Sequence, residues 1–302
     1  MTGGPAASYC PIPPARGGAH RRTRMSGSRL IVFVVLLGSA AQARAGDYPE
    51  FKVGESDAIF KEASPQSATA ELKRRFRATK PPPAYDIAKE KFRVGVPATY
   101  KHDGTAWGLL VWVDSGPQPS MPNGWAAVLT EKRLIYVGAY ESSNQRDLFD
   151  RCRLAVDGAH NVKKLFHIDP DRVYVSGMSG GGRVASMLGV AYADVFSGMC
   201  PMMGVNFYKS LPTGEPNKVW LPLYQPDPRI LASAKTRNRY VLLTGETDFN
   251  RDNTERIFKN GFQAEGFRHV SYIEVPGIGD QRPPADWLAK AIKYLDDEAP
   301  TR

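Results

Sequence analysis

Val173-Tyr174-Val175-Ser176-Gly177-Met178-Ser179-Gly180-Gly181-Gly182 is the stretch on which the fold turns. A short apolar run with β-branched residues predicts a buried strand, and the small residues from Gly182 to Tyr192 predict a helix behind it. Between them lies Gly-x-Ser-x-Gly, a turn so tight that its flanking positions have no room for side chains. Such a turn lifts the Ser179 hydroxyl clear of the sheet. It also aims the following backbone N–H groups, starting with Gly180, at the oxygen of an attacked carbonyl. A Rossmann reading of the same glycines fails, because GMSGGG is not G-x-G-x-x-G and follows a late strand instead of the first.

Around this turn, strand and helix patterns alternate. Phe92 to Val96 and Gly108 to Val113 read as early strands joined by a turn at His102-Asp103-Gly104, and Leu134 to Val137 as a doubly covered strand. A long helix is expected from Asp147 to Phe166, because Leu148, Cys152, Ala155, Ala159, Val162 and Phe166 recur at spacings of three and four. Gly198 to Met202, Tyr240 to Thr244 and Val270 to Val275 complete the strands. Helices are expected near Thr254 to Phe262 and Pro284 to Leu295. The alternation predicts an α/β fold with a mainly parallel sheet and helices on both faces. Residues 205–239 break the rhythm and read as a cap-like loop, with Tyr208, Trp220 and Tyr224 as candidate substrate-lining aromatics.

The motif Ile168-Asp169-Pro170-Asp171-Arg172-Val173-Tyr174-Val175-Ser176-Gly177-Met178-Ser179-Gly180-Gly181 resembles the alpha/beta-hydrolase superfamily. It is most similar to the secreted polyhydroxybutyrate-depolymerase and feruloyl-esterase-like branch, over roughly residues 92–296 of a domain expected to span residues 92–298. The resemblance implies hydrolysis of a small-molecule or polymeric carboxylic ester through a Ser179 acyl-enzyme, with no metal or organic cofactor. Chain order then places the triad acid after a later strand and the histidine after the last one. Asp248, beyond Tyr240 to Thr244, is the expected acid, with Glu246 as second choice. A calcium loop opening at Asp248 fails, because Asn253 stands at the required glycine and Lys259 at the bidentate glutamate.

At the position where the resembled hydrolases carry the triad histidine, after Gly277-Ile278-Gly279, this chain has Asp280. Aspartate, with a reference pKa of about 3.9, is a poorer base than imidazole at neutral pH. His269, His160 and His167 are expected at the wrong edge of the sheet, and His102 in the early turn. Two carboxylates at one site tend to share a proton unless a cation such as Arg282 neutralises them. The second oxyanion donor is expected from Ser115 or Gly116. Two readings follow: a serine esterase of weak or altered activity using Ser179, Asp248 and Asp280, or a non-catalytic binding protein on the same scaffold.

Composition bounds the rest. The 302 residues carry a formal charge of +9, but residues 1–45 hold six arginines and no acidic residue, so the remainder carries only +3. That surplus gives no electrostatic footprint for nucleic acid. The run LIVFVVLL from Leu30 to Leu37 is too short to span a bilayer and is followed by small residues. Residues 1–45 therefore read as a signal peptide, with Met25 as an alternative start, and the chain as secreted or periplasmic without a stable membrane anchor. Residues 46–91 read as an extension or linker, with one amphipathic helix from Thr69 to Thr79 ended by Pro81-Pro82-Pro83. Export would permit a Cys152–Cys200 bridge, against the alternative of two separate buried thiols.

Overall fold

The computed structural model describes residues 52–297. The segment read as a signal peptide lies outside them. The chain forms β1 (Gly54–Ile59), α1 (Thr69–Phe76), β2 (Lys91–Val96), β3 (Trp107–Val113), α2 (Trp125–Glu131), β4 (Leu134–Ala139), α3 (Leu148–Leu165), β5 (Ile168–Met178), α4 (Gly180–Ala191) and β6 (Gly198–Met202). There follow a two-stranded ribbon of β7 (Leu211–Pro212) and β8 (Val219–Trp220), then α5 (Pro228–Thr236), β9 (Arg239–Gly245), α6 (Arg251–Arg256), a π-helical stretch Ile257–Gln263, β10 (Val270–Val275) and α7 (Ala285–Asp296).

Eight strands make one sheet in the order β1-β2-β4-β3-β5-β6-β9-β10. β1 and β2 run antiparallel to their neighbours, and from β4 onward every pairing is parallel. Every residue of β3, β4 and β9 is buried, as helices on both faces require of parallel strands. Two apolar clusters lie on the two faces. One gathers Leu109, Val111, Val173, Val175 and the α3 and α4 contacts; the other gathers Leu110, Trp112, Tyr174 and the α7 contacts. The alternation along β3 and β5 thus splits their side chains between the two layers.

The α3 stripe is as the spacing predicts: Cys152, Ala155, Ala159, Val162 and Phe166 are buried, and Asp147 caps the helix by accepting from the N–H groups of Phe149 and Asp150. No helix among the described residues is long and apolar enough to cross a membrane.

Three expectations need correction. β2 and β3 are not neighbours, because β4 inserts between them, antiparallel to β2 and parallel to β3. A hydrophobic pattern marks strands but not their order. Residues 52–91 are not a linker. β1 forms one margin of the main sheet, while Ala58, Phe60, Leu72, Phe76 and Ile87 join the core. The predicted Thr69–Thr79 helix stops at Phe76, because Arg77 takes a left-handed conformation at φ 49°. Of the two readings of the cysteines, that of separate buried thiols holds: Cys152 and Cys200 are both free. They belong to clusters on opposite faces of the sheet, so no bridge can join them, and burial pushes both thiols up to about 12.

Phe60 is 2% exposed and its ring centroid lies 4.8 Å from that of Phe92. Phe60→Ala is expected to cost about 3–5 kcal/mol of unfolding free energy in a urea titration, a loss a detached linker would not show.

Candidate active site

The C-terminal ends of β3, β5, β6, β9 and β10 lie along one edge of the sheet, and the candidate residues leave from these ends. Ser179 follows β5 with φ 54° and ψ −119°. This is a strained backbone for a residue with a side chain, of the kind found at functional turns. Its N–H donates to the Met202 carbonyl at 2.8 Å, which ties the turn to β6. A β-carbon at Gly177 would lie 2.5 Å from the Val113 carbonyl oxygen, and one at Gly181 only 2.0 Å from it. Glycine is therefore a steric requirement at both positions.

The Ser179 hydroxyl donates to Asp280 Oδ2 at 3.1 Å. Asp280 is solvent-exposed, standing on the loop after β10. Partial desolvation holds its carboxyl above the ordinary aspartate range. The Ser179 hydrogen bond opposes that shift, the nearby Asp248 charge adds to it, and Arg183 opposes it. Asp248, 4% exposed, follows β9. Its Oδ2 accepts from the Thr244 hydroxyl at 2.8 Å and its Oδ1 from the Asn250 N–H at 3.0 Å.

Arg282 does not neutralise this pair. Its guanidinium reaches Asp114 Oδ2 at 2.7 Å and Ser120 Oγ at 2.9 Å. The cation that acts on both carboxylates is Arg183, one turn beyond Ser179 on α4. Burial holds its guanidinium below its usual range, against the charges of Asp248 and Asp280. It donates to Asn250 Oδ1 at 2.6 Å and Asn206 Oδ1 at 3.3 Å. The i, i+4 spacing from Ser179 is the one signal in the sequence that could have marked Arg183. Glu246, the second choice of acid, instead accepts the Gly277 N–H at 2.8 Å and so steadies the loop that carries Asp280.

No histidine among the described residues reaches Ser179. His102 pairs with the Tyr100 hydroxyl, and His167 with the Gly104 carbonyl just before β3 begins. His160 faces Glu62 from α3. His269 precedes β10, whose six residues put roughly 20 Å of strand between it and the loop beyond.

On the oxyanion side, the Gly116 N–H is taken by Asp114 Oδ1 at 2.9 Å, which removes it as a donor. The Ser115 carbonyl accepts from the Asn144 N–H at 3.0 Å. Asn144 was not apparent as a site residue from the sequence, yet a β-carbon at Gly180 would come within 1.9 Å of its Oδ1. Gly180 begins α4, where the first N–H groups have no intrahelical acceptor.

The three aromatics separate. Tyr208 and Tyr224 are 6% and 3% exposed and pack with Phe76, Phe207 and Phe267, so both are core residues and do not line a site. The rings of Phe207, Tyr208 and Tyr224 are buried by packing against α1 and the π-helical stretch. Trp220 is only half-buried and borders a cavity that also touches Arg183.

No family model matches the chain. A stretch of 44 residues is 43% identical to poly(3-hydroxyalkanoate) depolymerase C of Paucimonas lemoignei, covering 15% of this chain and 11% of that protein. The match thus spans about a tenth of the curated relative. Among solved structures, a feruloyl esterase module from Clostridium thermocellum is similar at TM-score 0.52 and 12% identity, over 70% of this chain and 85% of its own. An arylesterase matches at TM-score 0.52 and 13% identity, over 83% of this chain and 88% of its own. The S-formylglutathione hydrolase of Staphylococcus aureus matches at TM-score 0.50 and 13% identity, over 68% and 92%. Strand order, elbow and these likenesses agree: the chain has the alpha/beta-hydrolase fold.

Proposed function

We propose that this protein is a serine hydrolase of carboxylic esters in which Asp280 takes the place of the usual imidazole. The observation that carries the reading is the hydrogen bond from the Ser179 hydroxyl to Asp280 Oδ2. In the first step the Ser179 oxygen attacks the ester carbonyl while its proton passes to Asp280. The carbonyl–alkoxy bond then breaks, and Asp280 returns that proton to the departing alcohol. Water attacks the acyl-enzyme next, losing a proton to Asp280. The bond from the acyl carbon to the Ser179 oxygen then breaks, Asp280 returns the proton to that oxygen, and the carboxylic acid leaves. The N–H groups of Gly180 and Ser115 are the proposed donors to the tetrahedral oxyanion. Asp248 acts on Asp280 by charge, making it a stronger base than an isolated aspartate. Export is part of the proposal and rests on residues 30–45 alone.

The absence of an imidazole beside Ser179 among the described residues favours a second reading, a binding protein that keeps the scaffold without turnover. A fluorophosphonate probe separates the two. The esterase reading expects Ser179 to be labelled, and Ser179→Ala to lose both labelling and at least about 100-fold of para-nitrophenyl acetate turnover. Absence of labelling between about pH 4 and pH 9 would leave the binding reading.

The base must be ionised to act, so turnover should rise with pH through an acidic limb lying above the ordinary aspartate value. Asp248→Asn removes a charge that raises the Asp280 pKa, so the limb should move to lower pH in a pH–rate profile. Asp280→His is expected to increase turnover at about pH 7.5, where imidazole is a better proton acceptor than carboxylate. A revertant no faster than its parent would show that the base does not limit the rate.

A further inference from the structure

Asn144, on the loop after β4, stands where the two proposed oxyanion donors meet. Its N–H donates to the Ser115 carbonyl at 3.0 Å. The three atoms nearest to a β-carbon built on Gly180 all belong to the Asn144 carboxamide, with Cγ at 2.6 Å and Nδ2 at 2.8 Å. In a helix the bond from α-carbon to β-carbon tilts toward the N-terminus, the end to which the first N–H groups point. Gly180 opens the 12-residue helix α4. The carboxamide therefore covers the same end of the helix that offers the Gly180 N–H.

The backbone around Asn144 is held in place. Arg151, buried on α3, donates to the Ser142 carbonyl at 3.1 Å and to the Asp114 carbonyl at 2.9 Å. The Glu141 N–H donates to the Pro117 carbonyl at 2.7 Å. The loop after β4 is thus tied to the loop after β3 on both sides of Ser115, the fixed geometry that oxyanion donors need. The carboxamide itself is exposed and hydrogen-bonds to none of the described residues. Its N–H groups are free for a substrate. A half-turn about the bond from Cβ to Cγ exchanges Oδ1 and Nδ2, and a negative charge selects the side that donates.

We propose that Asn144 is a catalytic residue, its Nδ2 donating a hydrogen bond to the tetrahedral oxyanion. As Ser179 Oγ bonds to the carbonyl carbon, the carbonyl π-electron pair moves onto the carbonyl oxygen. Asn144 donates to that oxygen without giving up its proton, and lets go when the carbonyl re-forms. The proposal rests on the esterase reading, which the same assay tests separately. On para-nitrophenyl acetate, Asn144→Ala in the full chain is expected to lower kcat about 100-fold and leave KM within about twofold, because the oxyanion is absent from the ground state. Gly180→Ala keeps the backbone N–H but pushes the carboxamide aside, so it should also lower kcat. In the double variant the two losses should not multiply, because both remove one contact. Asn144 is exposed, so its variant should keep the urea midpoint of the parent. A kcat within about threefold of the parent, losses that multiply, or a fallen midpoint in Asn144→Ala would overturn the proposal and leave the Ser179 reading standing. A parent chain with no turnover that Ser179→Ala removes would overturn both.

Discussion

The backbone of Val113 passes so close to Gly177 and Gly181 that its carbonyl oxygen occupies the space where their β-carbons would stand. β3 and β5 are paired in parallel up to Val113 and Gly177, so this contact is set by the sheet itself. It forces the chain to leave β5 through a turn with no side-chain width, and the cost is concentrated in the positive φ of Ser179. The bond from the Ser179 N–H to β6 holds that conformation from the other side. The direction of the hydroxyl is therefore a consequence of strand packing, and the loop residues around it need only supply its partner.

That partner is the Asp280 carboxylate. A carboxylate beside a serine hydroxyl is a weak base in water, and the surroundings act on it in opposing senses. Partial desolvation and Asp248 raise its affinity for a proton, while the serine and Arg183 lower it. Arg183 lies largely out of water, where its charge is less screened than that of a surface arginine. The Asp114–Arg282 pair stands apart from this balance and anchors the end of the loop that carries Asp280. With Glu246 holding Gly277, the loop is secured on both sides of the carboxylate.

Much of this was legible in the amino-acid order, and the misreadings share a cause. The nucleophile turn could be read because its demands are local: a strand, a steric minimum and a helix within ten residues. Asp280 could be read because it follows the last strand by chain order, and the chain has few histidines to replace it. The β2-β4-β3 arrangement could not, since pairing depends on contacts far apart in sequence. The role of Arg183 over that of Arg282 was equally hidden, because each arginine's partner is chosen by three-dimensional reach. Tyr208 and Tyr224 looked like site residues for their loop position. In the fold, that loop is pressed against α1 and the π-helical stretch, and the rings serve as core.

The two margins of the sheet carry a further consequence. β1 is six residues long and presents Glu55 and Asp57, which pair with Arg93 and Lys91 of β2. At the opposite margin, Glu274 of β10 pairs with Arg251. A second molecule adding its own strand to either border would have to desolvate these ions, an arrangement that discourages fibril-like stacking when the protein is concentrated.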